Sequence, residues 1–480
     1  MVGSVAVPWP TAAGSWFGRL VFLRALAGIY LVAFLVAAQQ FRALLGEHGM
    51  LPIPRYLRAV PFRRSPSLFH LRYSDRAFAT VAWVGVAWSA ALLVGLGDVV
   101  PLWASVLAWL VPWALYLSIV NVGQTWYGFG WETLLLETGF LAAFLGPADV
   151  APPVLVLWLL RWLLFRVEFG AGLIKIRGDT CWRDLTCLRY HHETQPMPGP
   201  LSWWFHHLPM PLHKVEVVAN HVAQLVVPFF LFAPQPVAGW AAVVVIATQV
   251  WLVLSGNFSW LNVLTMTLAI SVLGDGLLRH VVPVSIPASI DPTPTWARVL
   301  VLALVALIAA KSWAPARNLL SKRQRMNASF DPLHLVNTYG AFGSITRVRR
   351  EIILEGTLDT QLGPDTDWFE YGFKGKPGDP ARRPRQVAPY HLRLDWLLWF
   401  AALSPGYGEQ WFVPMVQRLL RNDADTLRLL DHNPFPDAPP THVRALLYEY
   451  RFTTRAERRA TGDWWHRTQV GSYLRPMRRS

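Results

Sequence analysis

Cysteine is nearly absent from this chain: Cys181 and Cys187 are the only two in 480 residues. Two thiolates cannot by themselves complete the four-cysteine or three-cysteine-plus-histidine sites of structural zinc. Their spacing is not C-x-x-C, so a thioredoxin-like redox role has no basis. A local disulfide in an oxidising compartment and a pair of free thiols in a packed loop both stay open. Charge is also scarce. Only 15% of residues are Asp, Glu, Lys or Arg. The chain has no phosphate-cradling P-loop, no G-x-S-x-G nucleophile elbow and no H-E-x-x-H, so nothing points to a nucleotide-dependent enzyme, a lipase or a zinc protease. No internal repeat is visible. The N-terminus has neither a charged n-region nor a small-residue cleavage site, and the first apolar segment is expected to stay as an anchor.

What is present is apolar surface. The chain is 53% hydrophobic, carries 25 Trp and has a mean hydropathy of +0.29, values of a polytopic membrane protein. Residues 1–325 hold 23 Lys/Arg and 13 Asp/Glu, whereas residues 326–480 hold 21 and 17. The shift divides a transmembrane helical bundle (1–325) from a water-exposed C-terminal domain (326–480). A spanning helix needs about twenty apolar residues. Candidates are 20–41, 77–97, 101–120, 131–146, 153–177, 213–233, 237–255, 258–277 and 296–313. The segment 131–146 is short and contains Glu132 and Glu137, and 258–277 contains Asn262 and Asp275, so eight or nine transmembrane helices are expected. Beyond the boundary, 334–340, 344–357, 368–374 and 443–453 alternate in part and read as strands of a small antiparallel β domain. Segments 391–403 and 410–421 read as amphipathic helices, the first apolar enough for the membrane surface. The net charge of +14 is dispersed and joins no nucleic-acid motif. Attraction to lipid headgroups explains it better, so the expected partner is the bilayer and not nucleic acid.

The densest chemistry lies in residues 161–232. An apolar helix there contains Arg161, Arg166, Glu168 and Lys175, followed by the Cys loop and a His-rich segment. Ionisable groups at membrane depth are costly. Arg161 or Arg166 is therefore expected to pair with Glu132 or Glu137 across helices, because an unpaired buried charge is expensive. His213, Glu216 and Asn220 fall on one face of segment 213–233, with His221 beside them, and form a candidate polar relay. Interfacial hydrogen bonding is the reading preferred over a metal, and no metal site is expected. Lys175 follows Ala171-Gly172, where small residues admit a neighbouring helix. It reads either as a snorkelling lysine at a helix end or as a base.

The strings GAGLIKIRGD–CWRD–TC (170–187), YHHETQPMPGPLSW (190–203), GFGWE–ETGF (128–140), LVNTYGAFG (335–343) and KGKPGDP–QVAPYHLRLDW (374–396) are similar to the lipase maturation factor family over roughly residues 120–470. The resemblance implies a membrane-embedded factor that assists folding and assembly of secreted clients, dimeric lipases in its eukaryotic members. It implies no chemical step and no cofactor. The C-terminal domain and the 178–212 loop would meet the client. The membrane would be the endoplasmic reticulum in a eukaryote and the plasma membrane in a bacterium. Phe169 to Lys175 also resembles, more remotely, the A-G-x-x-K element of the vitamin K-dependent γ-carboxylase-like membrane fold. That resemblance implies an alternative: an enzyme with Lys175 as base toward a lipid or quinone. A transporter is a weaker reading, without the inverted repeat such folds carry. Topology is contested. Loop 42–76 has seven Arg against Glu47 and Asp75, which the positive-inside rule assigns to the cytoplasm. The resemblance places the Cys loop and C-terminal domain in the lumen or outside the cell, and that placement of the two regions is the one adopted.

Overall fold

A computed structural model describes residues 9–479. Its N-terminal part is a helical bundle. The main helices are α1 (Trp16–Leu44), α2 (Asp75–Val94), α3 (Leu102–Val122), α4 (Gly130–Ala142), α5 (Val154–Arg177), α6 (Leu188–Thr194), α7 (Met210–Leu225), α8 (Val237–Ser255), α9 (Leu261–Ile270) and α10 (Thr295–Leu320). Among the described residues, five helices are long and apolar enough to cross a membrane: α1, α2, α3, α8 and α10. Large apolar side chains such as Trp240, Val299 and Leu302 face outward from them, as a lipid solvent allows and water disfavours.

Several expected spans have a different form. Helix α4 has 13 residues and α9 has 10, about 20 Å and 15 Å of rise, short of a hydrocarbon core of about 30 Å. Segment 213–233 breaks after Leu225, next to Pro228, whose ring cannot continue a helix interior. Asp275 is not inside a span. It opens a four-residue helix, Asp275–Leu278, where its carboxylate accepts from the backbone N–H of Trp16 (3.0 Å) and Phe17 (2.8 Å). A capping anion satisfies orphan donors and complements the positive end of the α1 dipole.

The C-terminal part adds β1 (Arg349–Thr357), β2 (Phe369–Glu370), β3 (Gly372–Phe373), α11 (Arg393–Leu403), α12 (Phe412–Leu419), β4 (Leu430–His432), β5 (His442–Phe452) and β6 (Trp465–Arg478). One antiparallel sheet has the order β2-β1-β5-β6, and β3 pairs with β4. Strand β6 was not expected from the sequence. Its residues are mostly polar and exposed, and Pro476 is tolerated because this is an edge. Segment 334–340 is not a strand but an irregular loop. Helix α11 does not lie on a membrane surface: Leu394, Trp396, Leu397, Leu398 and Ala401 are buried in the protein core, and the helix packs on β1.

The C-terminal domain covers one end of the bundle. Gln40 of α1 donates to the His391 carbonyl (2.7 Å). Asn257, just after α8, donates to the Arg385 carbonyl (2.9 Å) and accepts from Val387 N–H (2.7 Å). Asn121 at the end of α3 donates to the carbonyls of Pro66 (2.8 Å) and Pro332 (3.1 Å), and Arg418 of α12 donates to the His48 carbonyl. The Arg-rich loop 42–76 therefore lies at the same end of the bundle as the C-terminal domain and the Cys loop.

Candidate functional site

Helix α4 carries two carboxylates in an otherwise apolar setting, Glu132 and Glu137, both fully buried. A bare carboxylate in such surroundings is strongly unfavourable, so each must find a cation and donors. Glu132 finds Arg393 of α11, whose Nη1 lies 2.8 Å from Oε1 and also donates to the Trp126 carbonyl (2.5 Å). Tyr116 of α3 donates its hydroxyl to the same carboxylate. The Arg393 guanidinium stacks on Tyr127, 3.5 Å from the ring centre. His391 stands 3.6 Å from Glu132 within a ring of Phe129, Trp131, Trp260 and Trp396. Burial, reinforced by the neighbouring Arg393 charge, pushes its imidazole down to about 4.

Glu137 is held from two sides. Arg166 of α5 forms an ion pair with it. The loop 335–343 supplies the Asn337 N–H (3.0 Å), the Asn337 side-chain amide (3.0 Å) and the Tyr339 hydroxyl (2.7 Å). Arg166 in turn donates to the Asn337 carbonyl (2.6 Å). The loop can lie this close because α5 offers glycine where it passes. A Cβ on Gly170 would sit 2.5 Å from the Tyr339 carbonyl oxygen, and one on Gly178 would sit 2.0 Å from that of Gly343. Trp182 donates to the Phe342 carbonyl (2.8 Å), and Asp179 accepts from Arg347 (2.8 Å). That hydrogen bond from Arg347 holds the Asp179 carboxyl below its usual range.

A third buried arginine completes the pattern. Arg349 of β1 donates to the carbonyls of Glu193 (2.9 Å) and Pro196 (3.0 Å) and pairs with Glu351. Glu351 also meets Lys376 at 3.0 Å. Arg166, Arg349 and Arg393 thus each fasten a bundle segment to a C-terminal segment. Charge-assisted bonds of this kind fix geometry sharply.

Of the residues singled out in the sequence, Arg166 and Glu137 come together. Glu132 instead meets Arg393, a partner in the water-exposed half that was not anticipated. Arg161 meets no carboxylate and lies over Trp158, 5.5 Å from the ring centre. Glu168 accepts from Gln249 of α8 (2.7 Å), which accepts from Asn262 of α9 (2.7 Å). The Lys175 ammonium donates to Asn220 (2.9 Å) and Gln224 (2.8 Å) of α7 and lies 4.9 Å from the Trp182 ring centre. Cys181 and Cys187 are bonded to each other, their Cα atoms 4.8 Å apart. The expected relay is divided: Asn220 faces Lys175, His221 faces the Trp182 carbonyl (3.0 Å), and His213 and Glu216 face His192 of α6. Nearby, His206 lies 3.6 Å from Glu193, and burial pushes the His206 imidazole down to about 3. Asn337, Tyr339, Arg349, Glu351, Lys376, His391 and Arg393 were missed as site residues. Most sit in strings that carried the family resemblance, and the second carboxylate of α4, left without a cation of its own, was the signal available.

A cleft of about 440 Å³ opens where α1 meets the C-terminal domain, lined by Gln39, Arg42, Lys374, Tyr390, Asp395 and Arg428 among others. The buried networks consist of ion pairs and charge-assisted hydrogen bonds. They lock two domains together, and the carboxylase-like alternative gains no support from them: the Lys175 amine is engaged by two amide carbonyls and an indole face.

Profiles of two domains match the chain: the lipase maturation factor transmembrane domain over residues 17–280 and the lipase maturation factor C-terminal domain over residues 335–475. The chain is 43% identical to lipase maturation factor 1 of Homo sapiens, over 96% of its own length and 88% of the relative's. It is 42% identical to the Mus musculus protein of that name, with coverage of 96% and 87%. Identity to lipase maturation factor 2 of Homo sapiens is 30%, covering 96% and 83%. No solved structure matches.

Proposed function

The chain belongs to the lipase maturation factor family, and we propose that it is a membrane-embedded maturation factor that helps secreted client proteins of the lipase class to fold and assemble. The observation that carries this is the likeness to lipase maturation factor 1 along 96% of the chain, across the membrane part and the C-terminal domain alike. The geometry agrees with it. Two domains clamped by buried ion pairs suit a scaffold that holds a surface toward a client. In this reading the C-terminal domain and the 178–212 loop form that surface, no chemical step or cofactor is needed, and both lie in the lumen or outside the cell. The membrane is that of the endoplasmic reticulum in a eukaryotic source and the plasma membrane in a bacterial one.

Helix α5 makes a sixth full crossing, its 24 residues turning Arg166, Glu168 and Lys175 toward the protein. Helices α4, α7 and α9 are partial crossings. In this reading the chain has six full crossings and three partial ones, against the eight or nine transmembrane helices expected from the sequence.

The test is expression of the full chain in cells stripped of their own lipase maturation factors and making a secreted dimeric lipase. Recovery of active lipase in the medium is expected, and recovery no better than with an empty vector would sink the proposal. Lys175→Ala and Lys175→Arg, checked for membrane insertion, separate the alternatives. Loss of maturation in both, with insertion intact, would revive the enzyme reading.

A further inference from the structure

We propose that His192, His213 and Glu216 form a binding site for a divalent transition metal of the zinc class. The three come from different parts of the chain, His192 from α6 and the other two from successive turns of α7. One ligand atom from each lies within 4.8 Å of the others, and His192 Nε2 is 3.8 Å from Glu216 Oε2. Donors on a tetrahedral zinc with bonds of about 2.0–2.2 Å stand roughly 3.4 Å apart.

The polar atoms of this cluster argue for an occupant. Both ring nitrogens of His192, Nδ1 of His213 and Oε2 of Glu216 are buried without a hydrogen-bond partner. Buried polar atoms are satisfied in the great majority of cases, and leaving one unpaired forfeits its solvation without return. A direct His192–Glu216 hydrogen bond would satisfy one nitrogen and one oxygen and leave His213 Nδ1 orphaned. One cation satisfies an atom of all three residues.

The surrounding groups already fix the ligands as metal sites do. His213 Nε2 faces the His206 carbonyl at 3.4 Å, the tautomer that carries its proton there and leaves Nδ1 as a lone pair. Trp251 of α8 donates to Glu216 Oε1 at 2.7 Å, which aims Oε2 at the histidines. The bond from His213 to the carbonyl orients the imidazole and raises its basicity, and the bond from Trp251 orients the carboxylate. Two imidazoles and one carboxylate select zinc or its first-row neighbours over magnesium or calcium, with a fourth position for water. The two cysteines are joined to each other and cannot compete as thiolates. The metal would tie α6, which follows the disulfide loop, to α7, and through Trp251 to α8.

The test is metal analysis of the full chain, purified in detergent with a histidine-free tag, incubated with zinc and dialysed against a weak chelator. About one zinc per chain is expected to remain, and stripping it with a strong chelator should lower the melting temperature by several degrees. His213→Gln and Glu216→Gln should lose most of the metal. A double variant of two exposed histidines, His48→Gln/His466→Gln, should keep it. Absence of retained zinc in the unaltered chain overturns the proposal, as does equal retention by the site variants, which would mean adventitious binding at surface histidines. Should the site variants fail to fold, cobalt replaces zinc in the unaltered chain. Intense visible absorption of tetrahedral cobalt without a thiolate charge-transfer band is then the supporting result, and the weak spectrum of six-coordinate cobalt refutes the site.

Discussion

At the scale of the residue, Glu137 shows what burial demands of a charge. Its carboxylate accepts from Arg166, Asn337 and Tyr339, so removing the arginine leaves an anion with neutral donors only. Arg166→Leu is expected to destabilise the chain by about 3–5 kcal/mol, read as a lowered melting temperature in detergent. The double variant Arg166→Leu/Glu137→Gln should recover part of the loss, because the pair is coupled. A double variant as unstable as the sum of the two single variants would show that the residues act independently. His391 makes a second prediction. Its imidazole sits at about 4 in the folded chain against about 6.5 when unfolded. Between those values the unfolded chain binds more protons, so this contribution to stability is complete above about pH 6.5 and is lost as pH falls toward 4. His391→Gln should flatten the pH dependence of the melting temperature across that window, and an unchanged slope would remove His391 as its cause. The Arg166–Glu137 pair was legible because charges inside apolar runs are few. Arg393 was not, since it lies among the ordinary charges of the C-terminal half and only folding brings it beside α4.

Among the elements, loop 335–343 carries the most weight for its size, laying backbone against α5 where Gly170 and Gly178 make room. Gly170→Ala would put a methyl 2.5 Å from a carbonyl oxygen that cannot rotate away, whereas Gly172→Ala meets the side chain of Leu225 at 2.7 Å, which can. Overpacking costs typically about 1–3 kcal/mol. Limited proteolysis is expected to cut between residues 321 and 348 sooner in Gly170→Ala than in Gly172→Ala. Equal rates would mean that the loop is not seated through that contact. The partial alternation over 334–340 reads as a strand, yet the segment gives Asn337 and Tyr339 to Glu137 rather than to a ladder. Strand β6 was illegible for the opposite reason: an exposed edge needs no apolar face, and pairing with β5 settles its conformation. The long apolar helices were plain in the sequence. The short ones were read too long, because apolar runs do not reveal where a helix stops.

For the whole molecule, the decisive arrangement is the gathering of loop 42–76, the Cys loop and the C-terminal domain at one end of the bundle. Sequence reasoning set the Arg-rich loop against the family placement, and the fold brings these regions to one end of the bundle. Counting arginines would put all of them in the cytoplasm. Yet the loop packs on protein: Phe69 is buried and stacks on Phe78, and Ser65 and Ser67 donate to the Asn121 and Ser118 carbonyls (2.6 and 2.8 Å). A loop held by protein answers less to charge counting, and the proposed placement of this end stays the lumen or the outside of the cell. The opposite end is marked by Ala148, Val150 and Asp275, which receive the buried start of α1. The prediction uses single cysteines in a Cys181→Ser/Cys187→Ser background shown to fold. Arg63→Cys and His466→Cys should react together with a membrane-impermeant thiol reagent applied from the lumenal or extracellular side. Ser285→Cys, at the other end, should react only after permeabilisation. Labelling of 63 and 466 from different sides would contradict the fold itself. Labelling of both from the cytoplasm alone would keep the fold and reverse its orientation, placing the clamp and the proposed client surface where no secreted lipase passes.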